Sequence, residues 1–208
     1  MTVIDLSHPF DEKTELWPGT EPNKIFRKAS IEDNGYLDHQ FVISGHTATH
    51  IDAPAHFLAN GRLLDDYPIS QFVGQAQVID VSSSKERKIR LEQHVRVDPD
   101  TEFALLHTGW SEQWGTKSYY GEFNYLSEDL AEELSKLQLK GVGIDTPSSD
   151  PIDSETFPAH HFLLGAGFIL IENLCNLKSL VGRKFLFSCL PLSVKGIEGS
   201  PVRAVAIL

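Results

Sequence analysis

Short apolar runs of four to seven residues alternate with polar, glycine- and proline-containing segments along the 208-residue chain. Runs of this length that are rich in Val, Ile, Leu and Phe predict β-strands. Several of them are apolar at nearly every position, which is typical of a sheet covered on both faces. We expect eight strands: Val3–Leu6, Gln40–Ser44, Ala76–Val81, Phe103–His107, Val142–Asp145, Phe168–Glu172, Phe185–Leu190 and Val202–Leu208.

One segment, Ser127–Leu139, has a helical period instead. Its first residue suits an N-cap, acidic residues follow in the first turn, and three leucines, the last of them Leu137, fall on one face. Gly141 follows as the expected stop signal. A weaker helical pattern covers Leu91–Val95.

The order of these elements predicts one α/β domain over residues 1–208 with a mixed sheet, whose strand order stays open. No repeat and no low-complexity tract is visible, and proline and glycine are spread too evenly to mark a hinge. His107, Asp145 and Glu172 each end a hydrophobic strand. Ligands of open α/β sheets collect beyond the carboxyl ends of the strands, so these polar ends are candidate site positions.

The candidate chemistry is concentrated in a histidine-rich segment around Pro54, in which three of the nine histidines lie within eleven residues. The β-branched residues between them and the proline disfavour a helix. In an extended chain, His46, His50 and Asp52 point to the same side, because they are separated by even numbers of residues. Two imidazoles and a carboxylate that converge from one strand form a ligand set for zinc, manganese or iron.

Pro54 interrupts this alternation, so His56 need not belong to the ligand set. The alternative interpretation of the segment, as polar residues of an exposed strand, is disfavoured by the even spacing and by the flanking glycine and proline.

A second candidate stretch contains His160 and His161 and ends, after an apolar strand, in Glu172. A carboxylate there is costly to bury unpaired. The Glu172 carboxylate either lies in solvent or in a salt bridge, or it joins the metal site. The upstream histidines favour the metal site.

Composition and charge exclude several classes of protein. The chain has 18 basic and 29 acidic residues and a net charge of −11, which disfavours binding to nucleic acid or to a membrane surface. The longest apolar run, Phe162–Ile171, has ten residues, and the N-terminus lacks a signal-peptide pattern. The two cysteines form no metal-type pair and no disulfide framework. We therefore expect a soluble cytoplasmic protein.

The segment His46–Phe57 resembles the signature of the cyclase-like metal-dependent hydrolases, a family that includes bacterial kynurenine formamidase and isatin hydrolase. Further matches extend over most of the chain: Leu16–Gly19, Gly143–Asp150, His160–Glu172, Pro191–Leu192 and Gly199–Val205. One departure is Ala48, where the family usually has glycine. If the segment is a strand, this alanine adds a methyl group on the metal-facing side.

The resemblance implies a compact α/β fold of the swivelling β/β/α type, usually in homodimers or larger homo-oligomers. It also implies one or two divalent cations per chain, with zinc preferred and manganese as the alternative. Two ligand sets share one carboxylate that bridges them: His46, His50 and Asp52 for one cation, and Asp52, His160 and Glu172 for the other. Glu172 can also contact both cations. His160 is preferred to His161, because the family ligand lies twelve residues before the glutamate. His56 corresponds to the catalytic acid/base, and Trp17 to a residue that lines the substrate pocket.

The activity implied is metal-assisted hydrolysis of a small amide, with N-formyl-kynurenine as the expected substrate. A cyclic amide such as isatin, or another small amide or ester, is the alternative. A bound cation lowers the pKa of water to about 7, and His56 would accept and return a proton or, alternatively, orient a ligand. A serine or cysteine nucleophile is disfavoured, because the chain has no Gly-x-Ser-x-Gly motif. A non-catalytic binding protein, in which the metal only stabilises the fold, is disfavoured because structural metal sites are usually rich in cysteine.

Overall fold

The computed structural model describes residues 1–90 and 95–208. Its strands are β1 (Val3–Asp5), β2 (Lys24–Ala29), β3 (Asp38–Val42), β4 (His50–Asp52), β5 (Val73–Asp80), β6 (Lys88–Ile89), β7 (Phe103–His107), β8 (Tyr125–Leu126), β9 (Gly141–Ile144), β10 (Ile169–Glu172), β11 (Lys184–Ser188), β12 (Gly199–Pro201) and β13 (Val205–Ile207). Its α-helices are α1 (Ile31–Asn34), α2 (Glu128–Ser135) and α3 (Pro158–Gly165). Short 3₁₀ turns cover Pro54–His56, Leu64–Asp66, Ile69–Phe72, Trp110–Gln113 and Leu177–Leu180.

Nine of these strands form a single mixed sheet in the order β1-β13-β11-β5-β7-β9-β10-β4-β12. The central strands β5, β7, β9 and β10 run parallel to one another. The strands on both sides of this block pair antiparallel. The predicted α/β fold with a mixed sheet is therefore confirmed. Two small ribbons, β2–β3 and β6–β8, lie outside the large sheet.

All eight predicted strands are present, and their ends shift by at most three residues. The strands that the pattern did not predict have two to six residues, and they contain polar side chains or proline in place of an apolar run. Strand β4 covers the second half of the segment that the histidine spacing predicts to be extended. It is central to the site and inserts between β10 and β12.

The sheet is covered on both faces, as the continuous apolar strands predict. In β7 every residue is buried, and alternate side chains enter two different apolar clusters. Phe103 and Leu105 join the cluster of the β11 phenylalanines. Ala104 and Leu106 join the cluster that contains the leucines of α2 and α3. The parallel strands thus form the rigid centre from which the site projects.

The predicted helix starts as expected but ends early. Ser127 is the N-cap of α2, and its hydroxyl accepts a hydrogen bond from the Leu130 amide. The helix stops at Ser135, so Leu137 lies outside it and is 39% exposed. Gly141 was predicted as the helix stop, and this is wrong. It lies in β9, where a Cβ would approach the Ile169 carbonyl oxygen to 2.7 Å, so glycine permits close strand packing there.

Helix α3 was not predicted, because its apolar residues show no clear helical face. It begins at Pro158, a favoured first helical position, and buries Ala159, His160, Leu163 and Leu164. The other predicted helix, Leu91–Val95, lies outside the described residues except for its last position, which is not helical. None of the helices in the described part of the chain has the length and apolar character that crossing a bilayer requires.

Candidate metal centre

Strand pairing brings His50 and Glu172 together. The antiparallel register of β4 and β10 places them directly opposite each other, so their side chains share one face of the sheet. His50 Nε2 lies 3.6 Å from Glu172 Oε2 and 3.5 Å from Asp52 Oδ1. All three side chains are buried. Two neighbouring strands therefore direct an imidazole and two carboxylates to one point.

His46 reaches the same point from a turn. The extended conformation predicted for His46–Asp52 is wrong in its first half, because the strand begins only at His50. The reason is Ala48, whose φ of +54° is incompatible with an extended strand. His46 still faces the cluster, and its Nδ1 lies 2.7 Å from Asp52 Oδ1. Even spacing thus groups the side chains that do lie together, although the backbone between His46 and His50 is not the extended strand that the spacing predicts.

The left-handed conformation of Ala48 is one that glycine adopts without a steric cost. A Cβ makes this conformation unfavourable by about 1–2 kcal/mol. Ala48 is 1% exposed and is not among the residues that line the cavity of the site. The expected methyl group on the metal-facing side of a strand is therefore not found. The consequence of the alanine is backbone strain rather than crowding of the ligands.

The space for the His46 ring is provided by Gly199 on β12. A Cβ at this glycine would lie 2.5 Å from His46 Cε1 and 2.7 Å from its Nε2. A Cβ on Gly45 would lie 2.7 Å from the Gly199 carbonyl oxygen, so these two segments pack backbone to backbone. Each of the two glycines is thus required by close approach.

His160 enters the site from the first turn of α3, and Asp150 holds it there. The Asp150 carboxylate accepts hydrogen bonds from the Ala159 and His160 amides, each at 3.0 Å. The same carboxylate lies 2.6 Å from His160 Nδ1. His160 Nε2 consequently faces the cluster, 3.4 Å from Glu172 Oε1 and 3.9 Å from Asp52 Oδ2. The neighbouring His161 is exposed and does not line the cavity.

His56 lies beside the cluster, in the 3₁₀ turn Pro54–His56 that directly follows β4. Its ring stacks on the ring of His46 with 4.1 Å between centroids and an interplanar angle of 27°. Its ring centroid lies 6.4 Å from that of His160. The proline that interrupts the strand therefore turns His56 back over the same site.

These side chains line a cavity of about 300 Å³. Its other walls are largely aromatic: Trp17, Phe57, Tyr120 and Phe157 line it. Trp17 is half-buried and makes edge contacts with Tyr120 and Phe123, at centroid distances of 6.2 Å and 6.3 Å. The residues that the resemblance assigns to the site thus meet at one cavity, polar on one side and aromatic on the other, whereas the strand ends His107 and Asp145 do not line it.

The donor set suits a divalent cation. Ligand atoms of His50, Asp52 and Glu172 lie within 4.8 Å of one another, and so do those of His46, Asp52 and His56. Imidazole nitrogen and carboxylate oxygen are ligands that zinc, manganese and iron accept. Asp52 belongs to both groups, the position expected for a bridging carboxylate. Glu172 lies close to both His50 and His160, as a carboxylate that contacts both ligand sets would. The grouping differs from the one that the resemblance implies in that His56 joins His46 and His160 belongs to neither group.

Comparison with known proteins places the chain in a family. The family model described as "Putative cyclase" matches residues 4–151. The chain belongs to this cyclase family. A kynurenine formamidase from Geobacillus thermodenitrificans is 34% identical to this cyclase-family chain over 203 residues, which cover 97% of the chain and 95% of the relative.

Two solved structures are similar to the cyclase-family chain over nearly its whole length. Isatin hydrolase A from Labrenzia aggregata, bound to benzyl benzoate, has a TM-score of 0.87 and 26% identity, covering 99% of this chain and 93% of that one. A protein described as a predicted metal-dependent hydrolase from Bacillus stearothermophilus has a TM-score of 0.82 and 26% identity, covering 99% and 97%.

Three features of the cyclase-family site were missed by sequence reasoning. Asp150 lay within a matched segment but received no role, although its spacing of ten residues from His160 was visible. Asn173 follows Glu172, and its Nδ2 donates to the Ala48 carbonyl oxygen at 2.9 Å. Glu198 Oε1 lies 3.3 Å from His46 Nε2. Asn173 and Glu198 contact residues that are distant in sequence, so no local sequence pattern indicates their roles.

The polar strand ends that flank the site have a different function. Asp145 is one of the strand ends that the sequence marks as candidate site positions, but it does not line the cavity. Its carboxylate instead accepts hydrogen bonds from the Thr108 and Gly109 amides, and it also pairs with His107 Nδ1 at 3.1 Å. These partners belong to the end of β7 and the loop that follows it. Asp145 therefore ties two neighbouring strand ends together.

In the metal-free protein, protons on the imidazoles neutralise the buried carboxylates of the cluster. Burial lowers the pKa of His46 and of His160, but the hydrogen bonds to Asp52 and Asp150 outweigh burial and raise these pKa values to about 9 and about 10. Burial raises the pKa of Asp52, but the charges of His50 and His46 outweigh it and hold that pKa well below its ordinary value. Without a cation, the buried carboxylates therefore keep protons on the imidazoles.

This balance predicts how the stability of the metal-free protein depends on pH. The pKa values of His46 and His160 are raised above about 6.5, so folding retains protons that the unfolded chain releases. Their contribution is complete below about pH 6.5 and is lost as the pH rises to about 9 and 10. We expect the free energy of unfolding to fall across this window, by up to about 1.4 kcal/mol per pH unit for each histidine.

Urea unfolding in the presence of a chelator, at intervals from pH 6 to about 10, measures this dependence. The metal-loaded protein is the control, because a cation replaces those protons and should remove most of the slope. A metal-free stability that rises over this interval would contradict the assignment.

The space above Gly199 generates a second prediction. In Gly199→Ala the new Cβ displaces the His46 ring, and we expect cation affinity to fall about 10- to 100-fold while the fold is retained. Calorimetric titration with Zn²⁺ and with Mn²⁺ measures the change. Gly165→Ala is the matched control, because a Cβ at that helical glycine meets nothing within 4 Å. Equal affinities for the two variants would show that His46 does not contribute to binding.

Proposed function

We propose that this protein is a metal-dependent amidohydrolase that releases formate from N-formyl-kynurenine. The single observation that carries the proposal is the buried cluster of His50, Asp52 and Glu172 at the end of an aromatic cavity. The polar side of that cavity suits a divalent cation and the reacting amide, and its aromatic side suits an aryl ring. The full-length similarity to a kynurenine formamidase supports the choice of substrate.

The cation, for which we propose zinc and as the alternative manganese, would be held by two ligand sets that share Asp52, and their members are His46, His50, Asp52, His160 and Glu172. His56 lies beside these ligands and stays free for proton transfer. When bound, a divalent cation supplies Lewis-acid activation of water and of an amide carbonyl. One or two ions are compatible with the two groups of ligands. No cysteine belongs to either group, which favours an open catalytic site over a closed structural one.

The protein's own part in the reaction centres on His56. Partial desolvation lowers the pKa of its imidazole below the ordinary value, and the charges of His46 and His160 lower it further against the opposing effect of Asp52. The imidazole is therefore neutral at pH 7 and can accept a proton from the attacking water. As the C–N bond breaks, the same nitrogen returns this proton to the leaving amine. Water is consumed, and formate and an aryl amine are released.

A cyclic amide such as isatin is the second candidate substrate. The observation that favours it is the TM-score of 0.87 to isatin hydrolase A over 99% of this chain. Hydrolysis of a cyclic amide uses the same groups, because the nitrogen again leaves with a proton and remains attached to the product through the ring. The two candidates differ in the substrate rather than in the chemistry.

Mutation of His56 tests the proposed mechanism. In metal-loaded His56→Ala we expect kcat for N-formyl-kynurenine to fall about 10²- to 10⁴-fold, because proton transfer is lost while the cation is kept. Formate release is measured, and metal content is measured in the same samples. His161→Ala is the matched control, because this neighbouring histidine is exposed and lies outside the cavity.

Near-normal turnover by metal-loaded His56→Ala would reject the catalytic role of this residue. A metal-loaded wild-type protein that hydrolyses isatin but not N-formyl-kynurenine would shift the assignment to the cyclic amide. Activity that survives complete removal of metal would reject the proposal as a whole.

We also propose that the protein is a homodimer joined through the β2–β3 ribbon. Every residue of β3 is exposed, and the exposed apolar side chains of the ribbon include Phe26, Phe41 and Val42. An isolated two-stranded ribbon is only marginally stable in water, so this one needs a partner surface. Strand β2 carries three cations, at 24, 27 and 28, and the net charge of the chain is −11. Charge complementarity thus favours the body of a second copy as that surface.

Sedimentation velocity tests this arrangement. We expect the wild-type protein to sediment at twice its mass of 23.2 kDa, and Phe41→Asp to sediment as a monomer. Leu137→Asp, on an apolar residue exposed elsewhere, is the control and should remain dimeric. A wild-type monomer at a concentration of about 50 μM, a range in which specific interfaces are occupied, would contradict the proposal.

The location that we propose is the cytoplasm. Cys175 and Cys189 are both free and buried, which suits a reducing compartment. Fractionation of cells that express the protein at its native level checks this.

A further inference from the structure

Tyr120 forms the partition between two cavities. Its side chain lines the 300 Å³ cavity of the candidate metal centre and also a neighbouring cavity of about 390 Å³. Its ring is held by edge contacts with Trp17 and Tyr119, with interplanar angles of 88° and 89°. Aromatic packing on two sides therefore fixes the direction of the phenol without any hydrogen bond.

The Tyr120 hydroxyl is a donor without an acceptor among the residues that the structure describes. The neighbouring Tyr119 hydroxyl, by contrast, donates to Asn173 Oδ1 at 2.7 Å. The Ser44 and Ser148 hydroxyl oxygens of the same cavity accept hydrogen bonds from backbone amides. Burial, followed by the charges of Glu172 and Glu15, raises the pKa of Tyr120, so the phenol keeps its proton at neutral pH. A fixed neutral donor thus remains available to a ligand.

The charges around the cavity indicate what such a ligand presents to this donor. None of the described residues that line the cavity is lysine or arginine, while Asp52 and Glu172 are both present. The wall around Tyr120 therefore favours a neutral acceptor over an anion. The two candidate substrates share such a group: each has a ketone oxygen on a carbon attached to the aromatic ring, ortho to the amide nitrogen.

We propose that Tyr120 determines specificity by donating a hydrogen bond to this ketone oxygen, so that the preferred substrates are aryl amides with an ortho carbonyl group. The inference rests on the proposed function, and it narrows the substrate class. A site built to hydrogen-bond one group discriminates against analogues that lack it, because the buried donor is then left unpaired.

Two synthetic amides separate this role from general packing. N-(2-acetylphenyl)formamide carries the ortho ketone, and formanilide lacks it. With metal-loaded enzyme, we expect Tyr120→Phe to lower kcat/KM for the first amide about 10-fold or more and to change kcat/KM for formanilide less than about 2-fold. Tyr125→Phe is the control, because this tyrosine lies on β8 and does not line the cavity. Equal effects of Tyr120→Phe on both amides, or no effect on either, would overturn the proposal.

Binding of the products gives a readout that does not depend on turnover. We expect wild-type protein to bind 2-aminoacetophenone at least about 10-fold more tightly than aniline, and Tyr120→Phe to lose this difference. The wild-type comparison decides the matter even if the variant fails to fold, since equal affinities would overturn the proposal. Metal-loaded wild-type protein that hydrolyses neither N-formyl-kynurenine nor isatin nor the two synthetic amides would overturn the proposed function and the inference with it. Hydrolysis of both at equal kcat/KM would overturn the inference alone.

Discussion

The structure depends on how it neutralises the carboxylates that the sheet buries near the carboxyl ends of its parallel strands. Asp145 and Asp150 are completely buried, and each accepts hydrogen bonds from backbone amides and pairs with one histidine. Asp52 and Glu172 are also buried, but they face several imidazoles, and of these two only Glu172 has a backbone donor, the Ser149 amide. Unpaired buried charge is strongly unfavourable, so this pair requires either protons on the imidazoles or a cation. The first two carboxylates stabilise the scaffold, and the second two create the site.

The backbone that supports this site is strained at two positions in contact with each other. Ala48 and Asn173 both have left-handed conformations, with φ values of +54° and +57°. They are joined by a hydrogen bond from Asn173 Nδ2 to the Ala48 carbonyl oxygen, which also accepts the His50 Nδ1 proton. With the proton on Nδ1, the lone pair of Nε2 faces the same point as the carboxylates and is available to a cation. Strain of this kind persists where the surrounding contacts over-determine the conformation, and here it fixes the direction of an imidazole.

The sequence predicted the parts of this arrangement that depend on local pattern. Continuous apolar runs predicted the central strands, and even spacing grouped His46 with His50 and Asp52. The prediction of an extended chain fails at Ala48, because one residue in the left-handed conformation breaks the alternation of side chains. Nothing in the sequence distinguishes this alanine from an ordinary one. Helix α3 was missed because its buried environment removes the amphipathic period. Asp150, Gly199 and Tyr120 act across the fold, through contacts that exist only after the strands have paired.

The central claim is that Asp52 organises a cation site rather than a proton-balanced polar core. Calorimetric titration of metal-free wild-type protein and of Asp52→Asn with Zn²⁺ tests it directly, with the fold of each monitored by circular dichroism. The wild-type protein should bind at least one ion per chain. Asp52→Asn should remain folded and lose more than about 100-fold in affinity, because both groups of ligands share this carboxylate. A folded Asp52→Asn variant that binds Zn²⁺ as the wild-type protein does would contradict the account.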